Sequence, residues 1–174
     1  TDSDTEVLLY MYIKFGKNFE EKLNGMWSFA MFNEKEQILH LSRDRFGEKP
    51  IHYFFNNNEF FFSSEIKNIL SLTNNKLELN YKTIKRFLVY GYKSVYKYND
   101  HFYKFLKRLR ASNFLELKID LSHKIECYYK VNTKINNLNT QDNIENIKSL
   151  LIETVKSRMV ADVPLAFCLS GGVD

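Results

Sequence analysis

Val163-Pro164-Leu165-Ala166-Phe167-Cys168-Leu169-Ser170-Gly171-Gly172-Val173-Asp174 is the stretch from which the chain is best read. An apolar run opened by a proline predicts a short buried strand. It runs into Ser-Gly-Gly, where two residues without Cβ let the backbone turn sharply and present its N–H groups. Such a turn makes a concave anion site, to which a following helix would add its positive end. A carboxylate at Asp174 is tolerable beside bound phosphates only with Mg²⁺ between them. Taken alone, Ser-Gly-Gly-x-Asp is also a common plain turn. Its neighbours have to decide.

Immediately upstream, Ile144, Ile147, Leu150, Leu151, Val155 and Met159 recur at helical spacing. They predict a long helix, started at Thr140 or Asp142, that leads into the terminal strand. A helix and strand closed by a glycine turn would be the first step of an α/β nucleotide-binding domain. The polar, Asn-rich stretch Asn132 to Asp142 separates this step from what precedes it. The expected domains are therefore 1–131, a linker over 132–142, and 143–174.

The first domain opens with helix-start chemistry. Ser3 and Glu6 have capping-box spacing, Asp4 adds negative charge to the first turn, and Gly16 is a natural stop. On spacing alone Asp4 is a first-turn carboxylate. Phe19 and Leu23 continue as a short second helix. Four strand candidates follow: Gly25 to Phe32, Ile38 to Ser42, Ile51 to Phe55 and Glu59 to Ser63. Tight connections between them predict an antiparallel meander, closed by a helix from Glu65 to Leu72. A helix over Asn80 to Tyr90, capped by Asn80 and stopped by Gly91, comes next. Phe114 to Ile119 and Ile125 to Val131 then predict a hairpin. The fold class expected is α+β, an antiparallel-sheet domain followed by the first helix and strand of an α/β domain.

Composition narrows the function. The 174 residues are 44% hydrophobic and 16% aromatic, enough for a real core. A net charge of +4, spread along the chain, gives no reason to expect a nucleic-acid partner. No apolar run approaches the roughly 20 residues that span a bilayer, so no membrane partner is expected either. Cys127 and Cys168 lie far apart on strand-like segments and read as buried thiols in a cytoplasmic protein. The absent initiator Met and the stop inside a motif point to a piece of a longer chain.

Three other features carry charge. Arg43-Asp44-Arg45-Phe46-Gly47-Glu48-Lys49-Pro50 packs both signs into one loop. With no nucleophile, His pair or metal spacing beside it, the loop reads as a hairpin turn whose arginines pair with carboxylates and hold neighbouring loops. Lys104 to Arg110 interleaves basic and apolar residues and reads as a solvated face over an apolar stripe. His40, His52, His101 and His123 show no metal-ligand spacing and read as structural or solvated.

Asp162 to Asp174 resembles the pyrophosphatase loop of the asparagine synthetase family. Four earlier segments, Asp4-Thr-Glu-Val7, Leu23-Asn-Gly-Met-Trp-Ser-Phe-Ala30, Ser42 to Pro50 and Ser63-Ser-Glu-Ile-Lys67, occur in the order and spacing of class II glutamine amidotransferase domains. They resemble the second half of such a domain, of the Ntn type, fused to a synthetase module. Agreement among separated motifs is far more specific than any one of them. One departure is Ala111-Ser112-Asn113, where relatives usually have a Pro-Pro-Gly-like turn.

The resemblance implies a glutamine-hydrolysing ligase. Glutamine gives ammonia in the first domain; ATP with Mg²⁺ activates a carboxylate, typically aspartate, in the second, and ammonia displaces AMP. In such glutaminases an N-terminal Cys attacks with its own α-amine as base. That Cys, the substrate-orienting Arg and the Asn-Gly oxyanion segment would all precede Thr1, so no catalytic residue is expected within these residues, and the piece alone should be inactive. Asp4 matches the carboxylate that holds the α-ammonium of glutamine. In the second domain Leu169 would offer backbone to the adenine nucleotide, Ser170, Gly171 and Gly172 would cradle pyrophosphate, and Asp174 would face Mg²⁺. The wording Arg-Phe-Gly-Glu-Lys-Pro also suits bacterial enzymes that amidate another carboxylate, for example on a surface sugar. A non-catalytic binding protein is the remaining alternative, and a homodimer is left open.

Overall fold

A computed structural model describes residues 3–74, 76–92, 100–133, 139–168 and 171. The chain divides into two units, residues 1–131 and 132–174. Each is taken by itself.

The first unit begins with α1 (Asp4–Phe15). Ser3 caps it: its Oγ accepts the N–H of Thr5 at 3.2 Å, and its carbonyl accepts those of Glu6 and Val7. Gly16 ends the helix at φ 64°, and a 3₁₀ helix (Gly16–Lys22) buries Phe19 completely. The strands are β1 (Ser28–Asn33), β2 (Ile38–Arg43), β3 (His52–Asn56) and β4 (Glu59–Ser63). Then come α2 (Ile66–Leu72), α3 (Tyr81–Tyr90), the short β5 (Lys107–Arg108), β6 (Asn113–Lys118) and β7 (His123–Cys127).

All strand pairings are antiparallel, as the alternation predicts, but the strands do not form one meander. One sheet has the order β1-β2-β6-β7 and the other β4-β3-β5. The expected β2–β3 pairing is replaced on both sides. β2 takes β6, with Leu41 opposite Leu115, and β3 takes β5, with His52 opposite Arg108. The physical reason is the Arg43–Pro50 loop, which carries the chain out of the first sheet instead of folding it back as a hairpin.

Leu41, Leu115 and Leu117 from the first sheet meet Tyr53 from the second, and Ile51 and Leu109 that flank its strands, in one buried cluster. A fully buried Leu contributes about 2 kcal/mol by removal from water, so this cluster is what joins the sheets. Lys104 to Arg110 alternates accordingly: Leu106 and Leu109 are buried, while Lys104, Lys107 and Arg110 are exposed.

The second unit contains α4 (Thr140–Arg158). It begins at Thr140, one of the two expected starts, with Asn139 as N-cap and Oδ1 of that residue accepting the N–H of Asp142 at 2.9 Å. Its apolar stripe, Ile147 and Leu150 included, is exposed. The expected terminal strand does not form over residues 163–168: Val163, Leu165 and Phe167 are all exposed. A strand exists only as part of a ladder, and this unit has no other strand among its described residues to pair with. The expectation of buried thiols fails for a related reason. Cys127 stands on the outer edge strand β7 and Cys168 in the unpaired segment; both are exposed and free.

Candidate functional site

The first unit's charged groups are organised by the loop after β2. Asp44 is completely buried, and its carboxylate accepts three backbone N–H groups: Phe46 at 3.1 Å, Glu48 at 3.0 Å and Lys49 at 2.9 Å. Burial alone would raise its pKa, but the loop's N–H donors outweigh burial and hold it below the usual carboxylate value. Arg43 donates to the carbonyls of Lys49 and Leu109, each at 2.7 Å, and to that of Gly47. Arg45 donates to the carbonyls of Leu23 at 2.6 Å and Glu21 at 2.8 Å and lies over the Tyr129 ring. The arginines thus bind main-chain carbonyls, not the carboxylates that spacing suggested. A planar guanidinium with five donors suits carbonyls that a tight loop turns inward.

This knot fixes one wall of an open groove of about 530 Å³. Asp4 and Thr5 at the start of α1 line it on one side, residues Leu23 to Phe29 form its floor, and Lys49 comes from the loop. Arg45 pins Leu23, and the N–H of Asp44 donates to the carbonyl of Trp27 at 3.0 Å, so the floor is held by the same loop. Asp4 is exposed, and among the described residues the polar contact of its carboxylate is the Thr5 hydroxyl at 3.5 Å. A carboxylate at a helix start is favoured by the helix dipole.

Two buried polar clusters escape the sequence. Nε2 of His40 lies 2.5 Å from Oε1 of the fully buried Glu20, and its Nδ1 lies 3.6 Å from Glu116. Burial would raise the Glu116 pKa, yet hydrogen bonding and charge from Lys124, with Lys17 beyond, bring it below the usual value. Nδ1 of His52 lies 3.3 Å from Nε2 of His101, with the rings edge to face. Burial, the neighbouring ring and the cations Arg108 and Arg43 lower His52 to about 4. Burial and Arg108 lower His101 to about 4 as well. None of these residues has a local signal, since Glu20 and His40, or His52 and His101, meet only through the fold. Among the described residues no group of three or more His, Cys, Asp or Glu side chains is placed to hold a metal ion.

Of the residues singled out for phosphate binding, Leu169, Ser170, Gly172 and Asp174 lie outside the described residues. Gly171 is described: its φ is +75°, and a Cβ built there would have nothing within 4 Å.

An α+β unit of antiparallel sheets, with a loop-braced groove at the start of its first helix, defines the class. Residues 1–129 match the model of the glutamine amidotransferase domain, and residues 146–174 match that of asparagine synthase. The chain belongs to the glutamine amidotransferase domain family, in the form joined to an asparagine synthase segment. It is 36% identical over 178 residues to the Methanocaldococcus jannaschii protein named putative asparagine synthetase [glutamine-hydrolyzing] 2, covering 100% of this chain and 34% of that one. To asparagine synthetase [glutamine-hydrolyzing] 3 of Bacillus subtilis it is 33% identical over 172 residues, 99% of this chain and 28% of that one. To number 1 of the same organism it is 28% identical over 174 residues, 100% of this chain and 27% of that one. The chain spans about a third or less of the length of these curated relatives.

Proposed function

We propose that this chain is part of a glutamine-dependent, ATP-dependent ligase that makes asparagine from aspartate with release of AMP and pyrophosphate. The observation that carries the reading is the groove at the start of α1, where Asp4 stands free of any ion pair among the described residues and can take the α-ammonium of glutamine. Ser3 caps the helix that carries Asp4, and the dipole of α1 favours a carboxylate at that position. The names of the relatives support glutamine as the nitrogen donor.

For the second site, Gly171 has the left-handed backbone that a phosphate-cradling turn uses and is open on the side where a Cβ would stand. Ser170, Gly171, Gly172 and the backbone of Leu169 would hold ATP and pyrophosphate there, with Asp174 toward Mg²⁺. ATP with Mg²⁺ supplies the activation of the acceptor carboxylate. What these residues would contribute is N–H donors fixed before charge develops on the departing phosphates. No helix among the described residues is long and apolar enough to cross a membrane, and two free, exposed thiols suit a reducing cytoplasm.

The test uses the full-length protein. Asp4→Asn should raise the KM for glutamine about tenfold or more, while ammonia supplied directly restores amide formation. Pyrophosphate release should depend on aspartate. Release driven by ATP and glutamine that ignores aspartate would move the acceptor to another carboxylate, and an unchanged KM in Asp4→Asn would remove the groove from glutamine binding.

A further inference from the structure

The groove that holds Asp4 has twelve described lining residues, of which one is acidic and one basic: Asp4 and Lys49. Opposite charges at one groove usually pair with each other or with neighbours, yet among the described residues neither forms an ion pair. Both are held by backbone. Asp4 follows the Ser3 cap. Lys49 donates its N–H to Asp44 Oδ2 at 2.9 Å and accepts from Arg43 Nε at 2.7 Å through its carbonyl, and Pro50 follows. The main chain is therefore fixed while the four-carbon stem remains exposed and adjustable. The groove is also lined by Leu8, Leu23, Met26 and Trp27, which suit a short carbon chain, and by Asn24, which can both donate to and accept from an amide. A ligand that matches this arrangement is a zwitterion with a short polar side chain.

We infer that Lys49 binds the α-carboxylate of the amino acid whose α-ammonium Asp4 takes, and so determines specificity for free glutamine. The inference rests on the function proposed above. The resemblance puts an orienting arginine ahead of Thr1, so Lys49 is a second cation, supplied by the Asp44 knot. A carboxylate met by the exposed, adjustable Lys49 ammonium is neutralised on entry without requiring that cation to be buried, which keeps the desolvation cost low. The Lys49 contact exists in the bound substrate and equally in the transition state, so its loss should fall on KM rather than kcat.

The experiment compares Lys49→Met, Lys49→Arg and Asp4→Asn in the full-length protein, with glutamine and with its α-carboxamide, glutaminamide, as donors. Rates are expressed relative to each variant's own ammonia-driven rate. Lys49→Met should raise the KM for glutamine about tenfold and lower the preference for glutamine over glutaminamide by the same factor, as expected for one charge-assisted contact. Lys49→Arg should stay within about threefold of the natural enzyme. If Asp4→Asn raises KM but Lys49→Met does not, the groove is the glutamine site and the inference about Lys49 is wrong. If neither variant changes KM, the groove reading itself fails and Lys49 falls with it. An unchanged donor preference in Lys49→Met would likewise overturn the carboxylate role, because a purely steric effect on KM would treat both donors alike.

Discussion

Acid should weaken the first unit through one pair of rings. His52 and His101 are each only 8% exposed and touch at 3.3 Å. Arg108 stands opposite His52 across the β3–β5 ladder, and Arg43 adds its charge from β2. Asp100 alone favours protonation of His101, but it is held by Arg86 at 2.8 Å. Both rings titrate near 4 in the folded protein and near 6.5 when unfolded. Below pH 6.5 the unfolded chain binds more protons than the folded one, so stability falls as pH drops from 6.5 towards 4. Between pH 7 and pH 5 one such ring costs about 2 kcal/mol, and two acting independently would cost about 4 kcal/mol. At pH 5 both rings are still largely neutral in the folded protein, so repulsion between two protons there does not lessen the loss, which should be about 4 kcal/mol. Urea unfolding at both pH values measures it. Single replacement by His101→Gln, which keeps a hydrogen-bonding group without a titrating one, should reduce the pH-dependent loss towards that of one ring. The double variant His52→Asn/His101→Gln should remove it, leaving only the slope due to other groups. A loss under about 0.5 kcal/mol, or the same loss in the double variant, would refute the reasoning.

Two further predictions concern backbone. Gly47 has φ +69°, and a Cβ there would lie 2.9 Å from the guanidinium carbon of Arg43, which is committed to three carbonyls. Gly47→Ala should therefore cost about 2–3 kcal/mol in denaturant unfolding, and a change below about 0.5 kcal/mol would contradict the knot's rigidity. Phe105 has φ +63° while its ring is 76% exposed, so it bears left-handed strain without burying its side chain. Phe105→Gly should stabilise by about 0.5–1 kcal/mol, the relief of strain less the extra freedom of glycine when unfolded; a lower stability in the same assay would show that the ring has a packing role.

What the sequence makes legible is local. Ser3, Gly16, Asn80 and Gly91 cap the helices they were expected to cap, because capping is settled by side chains within a few residues. Strand existence is legible from alternation, but strand partnership is not. Leu41 faces Leu115 because a loop 70 residues earlier than β6 turned outward, and no periodicity encodes that. The buried polar groups share this fault: Glu20 sits in the run expected as a short second helix, and nothing within that run marks its side chain as buried. At the groove, the helix-start position of Asp4 was readable from spacing, whereas its juxtaposition with Lys49 depends on the Asp44 knot and was not. The terminal apolar run misled because hydrophobicity signals a preference for burial, while no strand among the described residues of its unit pairs with it.

The knot also has a temporal side. Its last fastenings come from far downstream: Ser112 donates to the carbonyl of Arg45, and the Tyr128 hydroxyl donates to that of Arg43 at 2.7 Å. During synthesis the loop emerges from the ribosome long before its clasps. At about 5–20 residues per second, Tyr128 follows Arg43 by roughly 4–17 seconds. For that interval Arg43, Asp44 and Lys49 have no finished setting, and the nascent strand β2 waits without β6. The unit therefore ripens late and all together, and a ribosome that stalls before Tyr128 leaves a chain whose Asp44 loop has not yet been fastened.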